Sequence, residues 1–166
     1  TLMTAQIQIY LQNDDNIDAV PSEADCATWI GAVADHLGWP SAEVTVRIVD
    51  DAESQMLNET YRGKAYPTNV LSFPFELPVG IPDSEFEGQL GDLVICAPVV
   101  TRESIEQEKL LAHHWAHMVI HGTLHLAGYD HEQDNEADAM ELIEISILCK
   151  LGIRNPYDST YQLKEQ

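Results

Sequence analysis

Apolar and polar residues alternate with a period of two from Ala5 to Leu11 (AQIQIYL), which predicts a first strand ended by the acidic turn from Asn13 to Asp15. Ser22, followed three residues later by Asp25, marks the start of a helix that runs to about Leu37, with Gly38 as its stop and Pro40 beyond. The β-branched stretch EVTVRIV, Glu43 to Val49, reads as a second strand, and DAESQMLNETYR, Asp51 to Arg62, as a helix with acidic residues at its positive end. NVLSFPF is a third strand, and its Pro74 puts it at a sheet edge or ends it there, because proline cannot donate to the ladder. Leu77 to Gln89 mixes proline, glycine and acidic residues without periodicity, as a mobile loop does, and GDLVIC, Gly91 to Cys96, is a compact apolar strand. Thr101 is placed to cap a long helix reaching about Ala127. A final helix from about Asn135 to Leu151 carries Met140, Ile143, Ile147 and Leu151 on one face. The order βαβαββαα predicts a single α+β domain, a small mixed β-sheet covered by helices.

Length and composition agree with that picture, since 166 residues at 45% hydrophobic can bury one sizeable core. The formal net charge of −20 changes it, because a nonspecific grip on nucleic acid rests on an excess of Lys and Arg. Only eight basic residues are present, and two of them, Arg62 and Lys64, stand together in a glycine-containing turn. Most of the 28 carboxylates read as a solvated surface. The apolar run from Leu110 to Leu126 is broken by histidines, so no membrane span is expected. The first residues have no basic stretch and read as a strand, which points to a cytoplasmic protein. Cys26, Cys96 and Cys149 are far apart and form no CxxC pair, so neither a disulfide partner nor a thiolate metal site is expected.

The candidate chemistry lies in HGTLHLAGYDH, His121 to His131. His121 and His125, four apart, lie about 40° from one another on one helical face, close enough to share an ion. Gly128 is then the residue that ends the helix in a left-handed conformation, and the reversal brings His131 back towards the pair. Three histidines and an open fourth position are the arrangement of catalytic zinc, so a metal site is expected at the end of the long helix. His117 extends the same face one turn backwards. A triad of His117, His121 and His125 is rejected, because its outer members are separated by roughly 12 Å along the axis. His117 is therefore assigned to the core, to the support of a ligand, or to substrate contact, and Asp130 either orients a ligand imidazole or stabilises the turn. His36, His113 and His114 have no partner in the sequence and read as surface or packing residues.

The spacing also reproduces the metzincin protease pattern HExxHxxGxxH at each histidine and at the glycine, but position 122 is Gly where such a protease has its glutamate. The general base of that route is absent, which argues against peptide hydrolysis.

Taken together, HGTLHLAGYDH, YRGKAYPTNVLSFPF and GDLVIC resemble the YbeY-type endoribonucleases, over about Val44 to Leu151. The resemblance implies a single-strand-specific RNA endonuclease of the bacterial cytoplasm, active in ribosomal RNA maturation and ribosome quality control. It also implies zinc on His121, His125 and His131. Arg62 falls in the family's YRGK segment, where an arginine is thought to line the active-site cleft, and a guanidinium suits phosphate and the charge that builds up during its transfer. Lys64, Thr68 and Asn69 are weaker candidates, being ordinary turn residues. The acidity suggests that RNA is reached through the ribosome or a ribosomal protein.

The expectation is a zinc-dependent endoribonuclease. Two alternatives stand beside it: a hydrolase of another substrate on the same metal, such as a metzincin-like peptidase or a phosphoesterase, and a noncatalytic zinc protein of the ribosome. Nickel or copper would also suit imidazole ligands.

Overall fold

In the computed structural model, which describes residues 5–130 and 132–158, one four-stranded sheet carries all the strands. Strand β1 is Gln6–Gln12, β2 Ser41–Val49, β3 Val70–Pro74 and β4 Gln89–Cys96. Their order across the sheet is β1-β2-β4-β3, with β1, β2 and β4 parallel and β3 antiparallel to β4. The mixed sheet expected from the pattern is present, and β3 occupies an edge, where Pro74 pairs with Gly91 at the end of the ladder. The stretch before β4 contains a short 3-10 turn, Asp83–Phe86.

Helix α1, Glu23–Leu37, starts where the sequence places it: Ser22 Oγ accepts from the Asp25 amide and the Asp25 carboxylate accepts from the Ser22 amide, satisfying two otherwise orphaned donors. Helix α2, Asp51–Arg62, is capped by Asp50, and its last residue is Arg62.

The single helix expected from Thr101 to about Ala127 is instead two, α3 (Ala97–Glu106) and α4 (Leu111–Leu126). Thr101 lies inside α3, which begins straight after β4 with Pro98 in its first turn. Between the helices Glu108 takes a left-handed φ of 54°. No glycine or proline announces this break. Packing imposes it, because α3 lies over the end of the sheet, with Val100 in the main core and Val99 against the Leu71 and Val94 cluster, while α4 crosses one sheet face. The site is thus at the end of a helix of 16 residues.

Helix α4 is covered on two sides. Trp115, Met118 and Val119 join the cluster made by α1 and the sheet, among Ile30, Val44, Val46, Leu93 and Ile95. Ala116, Ile120 and Leu124 pack with Met140, Ile147 and Leu148 of α5, Asp134–Lys150. Where α4 crosses β3 and β4, Gly122 brings the backbones together. A Cβ there would stand 2.8 Å from Leu93 Cδ2, 3.1 Å from Val70 Cγ2 and 3.3 Å from Ser72 Oγ. Ser72 uses the approach to donate to the Gly122 carbonyl at 3.0 Å. Cys26 and Cys96 are buried thiols and Cys149 is exposed, none of them in a disulfide. Among the described residues no helix is long and apolar enough to cross a membrane.

Candidate metal centre and cleft

The last turn of α4 ends in a Schellman arrangement. The Gly128 amide donates to the His125 carbonyl, the Tyr129 amide donates to the Leu124 carbonyl, and Gly128 takes φ 99°, which only glycine adopts without strain. This turn lays the Tyr129 carbonyl over His125, whose Nδ1 stands 2.9 Å from it. One turn earlier, His121 Nδ1 lies 2.6 Å from Glu144 Oε1.

Both acceptors call for a hydrogen on Nδ1, which leaves each Nε2 with a lone pair, and those two Nε2 atoms are 3.1 Å apart. Two ligand nitrogens on one tetrahedral ion, bonded at about 2.0–2.1 Å, are separated by about 3.3 Å. The donor set and its spacing therefore fit a zinc-like cation. His131, the third expected ligand, lies outside the described residues.

His117, His121 and Glu144 also bring one ligand atom each within 4.8 Å of one another, a His/His/Glu group that could hold a metal ion. In the geometry present Glu144 is already fully engaged. Its Oε1 accepts from His121, while Oε2 accepts from His117 Nε2 at 2.9 Å and from the Tyr157 hydroxyl. At 2.6 and 2.9 Å these are direct hydrogen bonds, shorter than the separation a bridged cation would impose. In this geometry His117 and Glu144 are joined to His121 by hydrogen bonds, and the Nε2 atoms of His121 and His125 face one another. Burial pushes the Glu144 carboxyl up, but the hydrogen bonds from His117 and His121 together outweigh it and leave it at about 2. Burial holds the imidazole of His117 below its ordinary value, against the pull of Glu144.

His125 opens onto a cleft of 630 Å³ that is also lined by Arg62, Lys64, Ser72, Gly128, Tyr129, Asp130 and Glu132. Arg62 is exposed at the end of α2, and Gly63 behind it turns the chain so that Lys64 joins the same wall. Arg47 pairs with Asp14 and Glu53, and Arg102 with Asp51. Asp130 is exposed on the cleft wall; the imidazole of His121 is oriented by Glu144 and that of His125 by the Tyr129 carbonyl. Thr68 and Asn69 serve the loop that leads into β3: the Thr68 carbonyl accepts from Ser54, and Asn69 donates to Glu103. His114 is buried and donates to Glu103 at 2.9 Å, whereas His36 is half-buried beside Lys150.

Sequence reasoning missed Glu144, Tyr157 and Tyr129. For Glu144 a signal existed, since it stands four residues after Met140 and three before Ile147, on the apolar stripe of α5 where a carboxylate is out of place.

Residues 8–152 match the family model described as Endoribonuclease YbeY. A protein of Alteromonas mediterranea named Endoribonuclease YbeY is 56% identical over 140 residues, covering 84% of this chain and 86% of its own. A protein of the same name from Methylococcus capsulatus is 57% identical over 139 residues, covering 84% and 88%. The solution structure of a Thermotoga maritima protein superposes with a TM-score of 0.55 at 22% identity, covering 93% of this chain and 97% of that one, which supports the fold alone. With the histidine pair at the end of α4, the cleft beside Arg62 and these relatives all in agreement, the chain belongs to the YbeY endoribonuclease family.

Proposed function

We propose that this protein is a zinc-dependent, single-strand-specific endoribonuclease that acts in the cytoplasm on ribosomal RNA ends and in ribosome quality control, with one zinc ion held by His121, His125 and His131. The observation that carries the reading is that Arg62 and His125 line one cleft, so that a phosphate-binding cation and a ligand nitrogen face the same space. When bound, the ion supplies Lewis-acid polarisation and acidifies water. The chain's own residues supply the rest. The guanidinium of Arg62 offers forked donors to two phosphate oxygens and matches the charge that grows on them as the ester is cleaved, and Lys64 adds a second positive charge on the same wall. Asp130 and Glu132 bring carboxylates there, the residue type that takes up a proton in hydrolysis. Ser72 is not a nucleophile in this scheme, because its hydroxyl proton is committed to the Gly122 carbonyl.

Peptide hydrolysis is the weaker reading on a specific observation. The position of the metzincin glutamate is Gly122, which is buried against Leu93, Val70 and Ser72 and leaves no room for a carboxylate side chain. The net charge of −20 repels RNA at long range, so recruitment through the ribosome or one of its proteins fits the chain better than free diffusion to naked RNA.

The test is a pair of assays on one preparation, labelled single-stranded RNA and labelled casein, each with and without chelator. Chelator-sensitive RNA cleavage with intact casein is expected. Chelator-sensitive proteolysis with intact RNA would overturn the reading.

A further inference from the structure

We propose that Glu144 is the positioning residue of the metal centre: it locks His121 in the tautomer that carries its hydrogen on Nδ1 and its lone pair on Nε2, and so sets how tightly the metal is held. The inference deepens the zinc reading above and rests on it.

The observation is a carboxylate where the fold gives it no other reason to be. Glu144 is 0% exposed and lies on α5 between Met140, Ile147 and Leu148, all in the core. Burying a carboxylate there costs several kcal/mol unless each oxygen is satisfied, and an apolar residue of similar volume would serve packing at least as well. Both oxygens are satisfied, and unequally. Oε2 accepts from His117 Nε2 at 2.9 Å and from the Tyr157 hydroxyl, two groups with no place in the cleft. Oε1 accepts from His121 Nδ1 at 2.6 Å.

That division holds the carboxylate still and turns one oxygen towards the ligand. His117, 6% exposed, fixes Glu144 from the interior side of α4, and Tyr157 closes over it from the chain beyond α5, its ring partly exposed and its hydroxyl turned inward. The hydrogen on His121 Nδ1 cannot leave for Nε2 without placing an imidazole lone pair against a carboxylate lone pair inside a low-dielectric core. A carboxylate behind a ligand histidine also makes its outward nitrogen a stronger donor, and loss of such a partner weakens metal binding by about 10–100-fold. His125 obtains its orientation from a backbone carbonyl, which no substitution removes. Among the described residues Glu144 is thus the side chain through which a substitution would tune this centre.

Glu144→Gln tests it, since the amide keeps the volume and one acceptor but loses the charge. Zinc affinity is measured by competition with a chromophoric chelator, and the tautomer of His121 in the metal-free wild type by nitrogen-15 imidazole NMR, which needs no variant. The expected results are hydrogen on Nδ1 of His121 and zinc binding weakened at least tenfold in Glu144→Gln, measured at a temperature where both metal-free proteins are folded. A structural role alone would lower the thermal midpoint of the metal-free variant and leave the affinity of the folded fraction unchanged. Equal affinity in the two proteins, or His121 protonated on Nε2 in the metal-free wild type, would overturn the role of Glu144 while leaving the zinc reading in place. A wild type that binds no zinc would overturn both.

Discussion

The Nε2 atoms of His121 and His125 approach to 3.1 Å, each with its Nδ1 turned outward to an acceptor, Glu144 Oε1 for one and Tyr129 O for the other. With a hydrogen on each Nδ1 the two Nε2 lone pairs face one another, and a shared cation would relieve their repulsion, in keeping with the zinc site proposed above. Removing either ring should remove the metal. Stoichiometric cobalt in the wild type, with the intense visible absorption of a tetrahedral site, is expected to disappear in His125→Ala and in His121→Ala. Full occupancy in the double variant would mean that the ion sits elsewhere.

Arg62→Ala is expected to keep the fold and the metal and to lose RNA cleavage by about 100–1000-fold, the usual cost of removing one preorganised donor to developing charge. The side chain is exposed at the end of α2, so stability should hardly change. Arg62→Lys should rescue poorly, because lysine keeps the charge and loses the fork. Comparable single-turnover rates for arginine, lysine and alanine would take Arg62 out of the site.

Gly122→Ala should destabilise the protein by about 1–3 kcal/mol, an overpacking cost, because the added methyl meets Leu93 Cδ2 at 2.8 Å and Leu93 is itself fully buried. Gly122→Glu, which would restore the protease pattern, is expected to fail to fold and not to gain proteolysis. Urea unfolding of the alanine variant and a solubility assay of the glutamate variant check both; a stable, proteolytic Gly122→Glu protein would refute the packing account.

Acid should weaken the fold through Glu103. Burial pushes this carboxyl up, but hydrogen bonds from His114 and Asn69 outweigh it and hold it below its ordinary value, with Lys109 and His117 also near. Its stabilisation is fully present above the unfolded carboxylate value of about 4.3 and is lost as pH falls through the lower folded value, since the unfolded chain takes up the proton first. Glu103→Gln should therefore lose less stability than the wild type between neutral pH and pH 3. Parallel urea titrations at the two pH values would show the difference, and identical losses would argue against it.

Much of this fold was legible along the chain because its signals are local. Period-two alternation marks β1, the Ser22 and Asp25 pair caps α1, and Pro74 places β3 at an edge; each depends on residues only a few positions apart. The pairing of His121 with His125 was legible for the same reason, since helical geometry alone sets their spacing, and Gly128 ends the helix as its freedom at positive φ suggests. The break between α3 and α4 was not, because Glu108 is bent by the packing of two helices in different directions and not by its own propensity. Nor were the contacts of Glu144 and Tyr157, 23 residues beyond His121 and 40 beyond His117 respectively, each brought to its imidazole by the docking of α5 and the turn that follows it. Sequence determined which imidazoles stand together at the end of α4, through spacing on one helix. Tertiary structure decided which nitrogen His121 presents, because its tautomer is set by Glu144 across the helix interface, a partner chosen by packing between segments distant in the chain, whereas His125 meets the local Tyr129 carbonyl.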